Sequence, residues 1–180
     1  MRVIDTTPSG AMLFEPTVYE DDRGFFFESW NSEVFATLGL NQNFVQDNHS
    51  KSSKNVLRGL HYQIQYPQGK LVRVVAGSVY DVVVDIRRSS PTFLHWAGFT
   101  LSAANRHILW VPPGFAHGFL ALEDDTEFLY RCTEIYAAEY DRTILWNDAD
   151  LGIKWPLSGP PNLSAKDQLG KSLANAELFA

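Results

Sequence analysis

The sequence has little cysteine, no excess of positive charge and no long apolar run. Cys132 is the only cysteine among 180 residues, which excludes an internal disulfide and does not indicate an oxidising, secreted setting. The net charge of −6 gives no general attraction to nucleic acid or anionic membranes. No apolar stretch reaches the roughly 20 residues of a membrane span, and residues 1–16 lack the pattern of a signal peptide. We therefore expect a soluble, cytoplasmic protein.

Motifs for nucleotide cofactors and for metal ions are also missing. The chain has no G-x-G-x-x-G, no P-loop and no G-x-S-x-G. A metal-binding His-x-His pair would need a second histidine at position 63, where Gln63 follows His61, and neutral amides are poor ligands for transition metals. His49, His95 and His107 are scattered without ligand spacing. We expect no catalytic metal.

Short runs rich in β-branched and aromatic residues recur along the chain, with turn residues between them. The runs that we predict as strands are 11–14, 25–30, 43–50, 56–63, 70–75, 78–86, 93–101, 107–111, 114–122 and 126–136. Their regular spacing is typical of a sandwich or barrel and not of alternating βα units. Helix is scarce: we predict one over residues 31–40 and one after Ser164. The pattern indicates one all-β jelly-roll domain over residues 1–180.

Two of these runs carry charged side chains that a plain core would not bury. Arg58, His61 and Lys70 stand among apolar neighbours, where an unpaired charge is expensive. They indicate a polar pocket in which His61 acts as general base and Lys70 stabilises an oxyanion. A structural histidine and an edge lysine that deters aggregation are the alternatives. Strict alternation separates Arg58 from His61, so a shared pocket requires a β-bulge at Gly59.

Other polar side chains are candidates for ligand contacts. Arg23, in a charged turn, has the forked donors that bind phosphate, and Glu28 could orient it or meet another ligand group. Gln46 and Asn48 alternate with Ser50 on one face of a strand. An exposed turn and a solvated strand face are the structural alternatives.

The last long run carries two phenols. Tyr130 and Tyr136 lie six residues apart and so share one face of a strand. A phenol in a polar pocket can donate a proton, and an aromatic ring can stack on a base. The alternative is a tyrosine that only packs, with its hydroxyl hydrogen-bonded.

The ordered motifs resemble one family, the dTDP-4-dehydrorhamnose 3,5-epimerases. They are D-R-G at 22–24, Q-D-N at 46–48, V-L-R-G-L-H-Y-Q at 56–63, G-K-L-V-R-V at 69–74 and P-G-F-A-H-G-F at 113–119, then D-I-R at 85–87, W-N-D at 146–148 and L-S-A-K-D at 163–167. The resemblance runs from about residue 2 to 168. It implies a cupin-type jelly roll (double-stranded β-helix), a homodimer, no metal or cofactor, and a dTDP-4-keto-6-deoxy sugar as substrate.

The resemblance also implies a role for each candidate. His61 would remove a proton next to the C4 ketone, with Asp167 orienting its ring, Lys70 stabilising the enolate and Tyr130 returning a proton on the opposite face. Inversion at C3 and C5 of dTDP-4-dehydro-6-deoxy-D-glucose would give dTDP-4-dehydro-L-rhamnose. The substrate-binding residues would be Arg23, Glu28, Gln46, Asn48, Arg58, His117, Tyr136, Asp141 and Lys166. In related dimers the strand with the Arg23-like residue can reach the partner's site.

Three alternatives stay open. An epimerase acting at C3 only or at C5 only would share most of these motifs. A metal-dependent cupin enzyme would need bound metal despite Gln63. A non-catalytic sugar-binding jelly roll would bind ligand without turnover. Four features depart from the family pattern: a short loop over residues 64–68, Asp141 where a glutamate is frequent, His95 where small or basic residues are typical, and a tail over residues 168–180 without the usual proline.

Overall fold

The computed structural model describes all 180 residues, with thirteen strands and little helix. The strands are β1 (Arg2–Thr6), β2 (Met12–Glu15), β3 (Tyr19–Asp21), β4 (Gly24–Phe26), β5 (Gln46–Ser52), β6 (Leu57–Gln63), β7 (Lys70–Ala76), β8 (Ser78–Asp85), β9 (Trp96–Ser102), β10 (Ile108–Val111), β11 (Phe115–Ala121), β12 (Thr126–Cys132) and β13 (Asp141–Thr143). The α-helices are α1 (Ser32–Thr37) and α2 (Ala165–Gln168), and two 3-10 helices span Ala138–Tyr140 and Leu173–Asn175. No helix is long and apolar enough to cross a membrane.

Two antiparallel sheets form the body of the protein. One has six strands in the order β1-β2-β10-β7-β12-β5, the other has five in the order β13-β6-β11-β8-β9, and β3 and β4 form a separate hairpin. Strands distant in sequence are therefore neighbours, as β10 is between β2 and β7. Such crossovers between two antiparallel sheets are typical of jelly rolls. The all-β jelly roll predicted from the sequence is confirmed.

Alternation along the strands brings apolar and reactive side chains to the same interior. On β7, Val72 and Val74 are buried in the largest core cluster, and Lys70 lies on the same face because side chains repeat every two residues. On β12, the buried Phe128 and the partly buried Tyr130 share the inward face in the same way. The polar pocket is thus a continuation of the hydrophobic core.

The C-terminal tail covers the outside of the five-stranded sheet. Val82 and Val84 of β8 point into a second cluster that Leu173 and Phe179 of the tail help to close. The hydroxyl of Tyr62 on β6 donates to the carbonyl of Glu177 at 2.5 Å. The tail therefore shields an apolar sheet face from water.

Several predicted boundaries differ from the structure. The predicted helix over 31–40 ends at Thr37, two residues before Gly39, whose φ of +90° is not helical. The predicted strands 25–30 and 126–136 end earlier, at Phe26 and Cys132. The sequence analysis missed β1, β3 and β13, because all three are short and their polar residues give no apolar alternation.

The bulge predicted at Gly59 is present in β6. His61 lies opposite His117 of β11 and Arg58 lies opposite Phe119, so three steps of β6 oppose two of β11. Gly59 has a φ of +135°, and a Cβ there would lie 2.5 Å from the Cα of Gly118. Only glycine fits this position, and the extra residue turns Arg58 and His61 toward one cavity.

Replacing Gly59 by Ala is expected to lower the free energy of unfolding by about 1–3 kcal/mol, because the strained φ and the contact with Gly118 both oppose a side chain. Urea unfolding measures this. The control is Gly159→Ala, since a Cβ at Gly159 meets nothing within 4 Å; it should change the same quantity by no more than about 1 kcal/mol. Equal effects of the two substitutions would contradict the account of the bulge.

Candidate active site

A cavity of about 220 Å³ is lined by strands of both sheets. Eight of the sequence-predicted site residues line it: Arg58, His61, Lys70, His117, Tyr130, Tyr136, Asp141 and Lys166. The hydroxyl of Ser50 also faces it and is buried without a protein hydrogen-bond partner, so it is available to a ligand. The fold thus brings together residues that are more than a hundred positions apart.

The centre of the site is a histidine–carboxylate pair. Nε2 of His61 lies 2.6 Å from Oδ1 of Asp167, whose side chain is only 3% exposed. The same oxygen accepts from the amide of Gly59 at 3.2 Å, and Oδ2 accepts from the Ser164 hydroxyl at 2.6 Å. Ser164 is also the N-cap of α2, so the helix cap fixes the carboxylate against the histidine.

Electrostatics give this pair a defined protonation state. Burial lowers the pKa of His61 and outweighs the hydrogen bond that its ring donates to Asp167, which would raise that pKa. Burial opposes ionisation of Asp167, but hydrogen bonds from His61 and Ser164 prevail and bring its pKa to about 2. At neutral pH a neutral imidazole therefore donates from Nε2 to an ionised carboxylate. Nδ1, with no protein partner, keeps a lone pair and can accept a proton.

Lys70 contributes a buried cation. Its side chain makes no hydrogen bond or ion pair with the protein, and burial lowers its pKa. Cys132, Asp141, Lys166 and Asp81 are the charged or titratable groups near it. An ammonium group without a protein counter-ion favours negative charge that develops next to it.

Tyr130 lies across the cavity from the histidine. It belongs to β12 of the six-stranded sheet, whereas His61 belongs to β6 of the five-stranded sheet. Burial raises the pKa of Tyr130, so its hydroxyl keeps its proton at neutral pH. A base and a proton donor therefore stand on opposite walls.

Three polar side chains that contact one another lie at one side of the cavity mouth. The hydroxyl of Tyr136 donates to Oδ2 of Asp141 at 2.9 Å, and Lys166 makes an ion pair with the same oxygen. Tyr136 is 52% exposed and presents its ring at the surface. Lys166 and Asp167 are adjacent in α2, so the mouth and the histidine–carboxylate pair are anchored on one short helix.

The sequence analysis missed a second histidine–carboxylate pair. Nε2 of His117 lies 2.9 and 3.0 Å from the two carboxylate oxygens of Asp81, which is fully buried. Burial raises the pKa of Asp81, against the opposing effect of His117. The signal was a carboxylate within the valine-rich run 79–84, where an unpaired charge is costly. No group of three or more potential metal-ligating side chains is present.

Two other predicted residues, Gln46 and Asn48, contact protein groups beside the cavity. Gln46 accepts from the amide of Tyr136 and donates to the side chain of Asn48. Asn48 in turn lies 3.6 Å from the sulfur of Cys132. Arg58 donates from Nε to the hydroxyl of Ser52 at 3.1 Å and from Nη2 to the carbonyl of Lys51 at 3.2 Å, which leaves Nη1 of its guanidinium free.

Arg23 and Glu28 lie away from the cavity of their own chain. The Arg23 side chain is 89% exposed on the β3–β4 hairpin and pairs with Asp21. Glu28 accepts from the side chain of Asn31, the N-cap of α1. Neither residue lines the cavity that holds His61.

Comparison with known proteins identifies the family. The sequence model of dTDP-4-dehydrorhamnose 3,5-epimerases matches residues 5–175. The chain belongs to this family. The Pseudomonas aeruginosa dTDP-4-dehydrorhamnose 3,5-epimerase is 56% identical over 169 residues, which cover 93% of each chain.

Solved structures of the epimerases have the same fold. The Bacillus anthracis epimerase, with TDP and pyrophosphate bound, superimposes with a TM-score of 0.93 at 48% identity, covering 96% of this chain and 99% of that one. The Legionella pneumophila epimerase, in complex with dTDP-4-keto-L-rhamnose, gives a TM-score of 0.93 at 46% identity and covers 97% and 95%. The fold is therefore the cupin-type jelly roll of this family.

The ring of His61 is expected to titrate below pH 6.5, because burial is the largest influence on it. In Asp167→Asn the midpoint should fall further, since the hydrogen bond and negative charge that raise the pKa are lost. NMR of the imidazole C–H signals measures both, with His61→Asn to assign the resonance. A wild-type midpoint above 6.5 would mean that the carboxylate outweighs burial.

Proposed function

We propose that this protein inverts C3 and C5 of dTDP-4-dehydro-6-deoxy-D-glucose, as a cofactor-independent isomerase of 180 residues acting as one catalytic domain. The observation that carries the proposal is the pairing of a neutral histidine base on one wall with a protonated tyrosine on the other. The proposal includes a cytoplasmic location, which the sequence features favour.

The first half of the reaction is proton removal next to the C4 ketone. Nδ1 of His61 takes the proton, and the electrons of the broken C–H bond move into the C4 carbonyl to form an enolate. Lys70 stabilises the negative oxygen, and Asp167 stabilises the imidazolium that forms. The ketone itself accepts the electrons, so the step is balanced without a redox partner.

The second half is proton return on the opposite face. Tyr130 donates its hydroxyl proton to the carbon, the enolate collapses to the ketone and the centre is inverted. Solvent then reprotonates the phenolate and removes the proton from His61, which restores both groups. The same sequence at the other carbon flanking the ketone completes the double epimerisation.

Charged and amide groups around the cavity suit the rest of the ligand. Arg58 and Lys166 are cations that can meet a diphosphate, and Tyr136 presents a ring on which a base can stack. In this proposal His117 and Asp141 complete the polar lining of the cavity, and Gln46 and Asn48 contact the ligand at its edge. The partner of the protein is thus a nucleotide-linked keto sugar and neither nucleic acid nor membrane.

A homodimer is the second part of the proposal. The β3–β4 hairpin exposes the large apolar side chains of Tyr19, Phe25 and Phe26. A two-stranded hairpin is marginal on its own, and contiguous exposed aromatics indicate a partner surface. Docking of this hairpin on a second copy would bring Arg23 and Glu28, which lie outside their own cavity, toward the partner's site.

Incubation with the keto sugar in D₂O should place deuterium at both C3 and C5, as followed by proton NMR. His61→Ala should reduce both incorporation and turnover by roughly 10²–10⁴-fold, because a positioned base contributes about that much. Retained turnover in His61→Ala would refute the mechanism. Label at one carbon only would support an epimerase specific for C3 or C5.

The control for the direction of protonation is Tyr130→Phe. This variant keeps the base and removes the donor, so deuterium should exchange without inversion. If Tyr130→Phe inverts both centres at the wild-type rate, another group returns the proton.

Mixing inactive variants tests whether Arg23 acts across the dimer. If each site combines His61 of one chain with Arg23 of the other, a mixed dimer of Arg23→Ala with His61→Ala has one site with both substitutions and one site with neither. Random reassociation after joint refolding should restore about a quarter of wild-type activity, and each variant refolded alone is the control. No recovery, despite mixed dimers in native mass spectrometry, would show that Arg23 serves the site of its own chain, and full activity of Arg23→Ala alone would show that it serves neither site.

A further inference from the structure

The segment of residues 134–137, between β12 and β13, carries Tyr136 to the cavity mouth. Three glutamine side chains from other parts of the chain contact its backbone. The contacts are Gln68 Nε2 to Glu134 O at 2.9 Å, Gln63 Nε2 to Ile135 O at 3.4 Å, Tyr136 N to Gln46 Oε1 at 2.9 Å, and Ala137 N to Gln63 Oε1 at 2.7 Å. We call these three residues the glutamine bracket.

Main-chain hydrogen bonds do not hold this segment to the rest of the protein. Its only backbone–backbone bond is local, from the amide of Tyr140 to the carbonyl of Ala137. The neighbouring ladder ends one residue earlier, where the amide of Thr133 donates to Gly69. The path of residues 134–137 therefore depends on the glutamine bracket.

Gln63 is the central member of the bracket. It is buried to 3% exposure, and its amide contacts two loops at once: Nε2 also donates to the carbonyl of Tyr66 at 2.9 Å. All of its hydrogen-bonding groups are thus in use within the protein. An apolar residue of the same size would fill the space but leave the Ala137 amide and two carbonyls without partners.

The Tyr136 side chain is held at its other end as well. Its hydroxyl donates to Asp141, which makes an ion pair with Lys166 beside Asp167. The glutamine bracket fixes the backbone, and Asp141 fixes the hydroxyl. Together they set where the exposed ring stands relative to the cavity that contains His61.

We propose that Gln46, Gln63 and Gln68 are positioning residues that hold Tyr136 across the mouth of the cavity and thereby set affinity for the nucleotide part of the ligand. They touch neither of the reacting carbons in this proposal. The identity of the ligand rests on the proposed function. The placement of Tyr136 by the glutamine bracket is independent of that function.

Amide hydrogen exchange followed by NMR tests the placement without any turnover. The Ala137 amide should be protected in the wild type and should exchange at least about tenfold faster in Gln63→Leu. Gln46→Leu should instead release the Tyr136 amide and leave Ala137 protected. The matched control is Gln65→Leu, which replaces an exposed glutamine without a hydrogen bond in the loop after β6 and should change neither amide. Core amides of β7 should exchange at wild-type rates in all variants.

Binding and kinetics test the consequence. Gln63→Leu should raise the Kd of dTDP, measured by calorimetry, and the KM of the keto sugar by roughly tenfold, with kcat within about threefold of wild type. A loss of kcat at unchanged dTDP affinity would overturn the proposal, as would an unprotected Ala137 amide in the wild type. If the wild type lacks epimerase activity but the amide pattern and dTDP affinity respond as stated, the proposed function fails and the bracket stands.

Discussion

The carboxylate of Asp167 is the interaction on which the site depends. It accepts hydrogen bonds from the histidine, from the bulged backbone of β6 and from the cap of α2. A buried charge without such partners is costly. One carboxylate therefore fastens the C-terminal helix to the barrel, supports the bulge at Gly59 and selects the tautomer of His61. The closure of the fold and the state of the base are set by the same three contacts.

The two-sheet architecture explains how an acid and a base coexist. The base on β6 and the phenol on β12 project from different sheets into the gap between them, the cavity of about 220 Å³. The gap leaves room for a sugar ring between them. Inversion requires proton removal and return on opposite faces of one carbon, and a jelly roll supplies two facing walls. The chemistry thus follows from which sheet each residue occupies.

Local signals explain what could be predicted from the sequence. The strands follow from β-branched runs, and the conflict between Arg58 and His61 on one strand required the bulge that Gly59 permits. No local pattern connects His61 with Asp167, which lies 106 residues away; only the family resemblance indicated it. Asp81 was missed because a single carboxylate does not disturb a valine-rich strand pattern. The forked donors of Arg23 suggested a phosphate contact, but they did not indicate that the residue lies away from the cavity of its own chain.

Lys70 lowers the stability of the fold but favours the proposed reaction. Most buried charges here have partners, as Asp85 has Arg87, Ser90 and Thr92, but the Lys70 ammonium has none in the protein. Such a group costs stability, and a paired lysine would cost less. In an ion pair, however, the positive charge of the lysine would already be compensated by its partner before the reaction begins. In the proposed mechanism the enolate oxygen gains negative charge only as the C–H bond breaks. The unpaired cation therefore stabilises the transition state more than the bound ketone, which is the condition for acceleration.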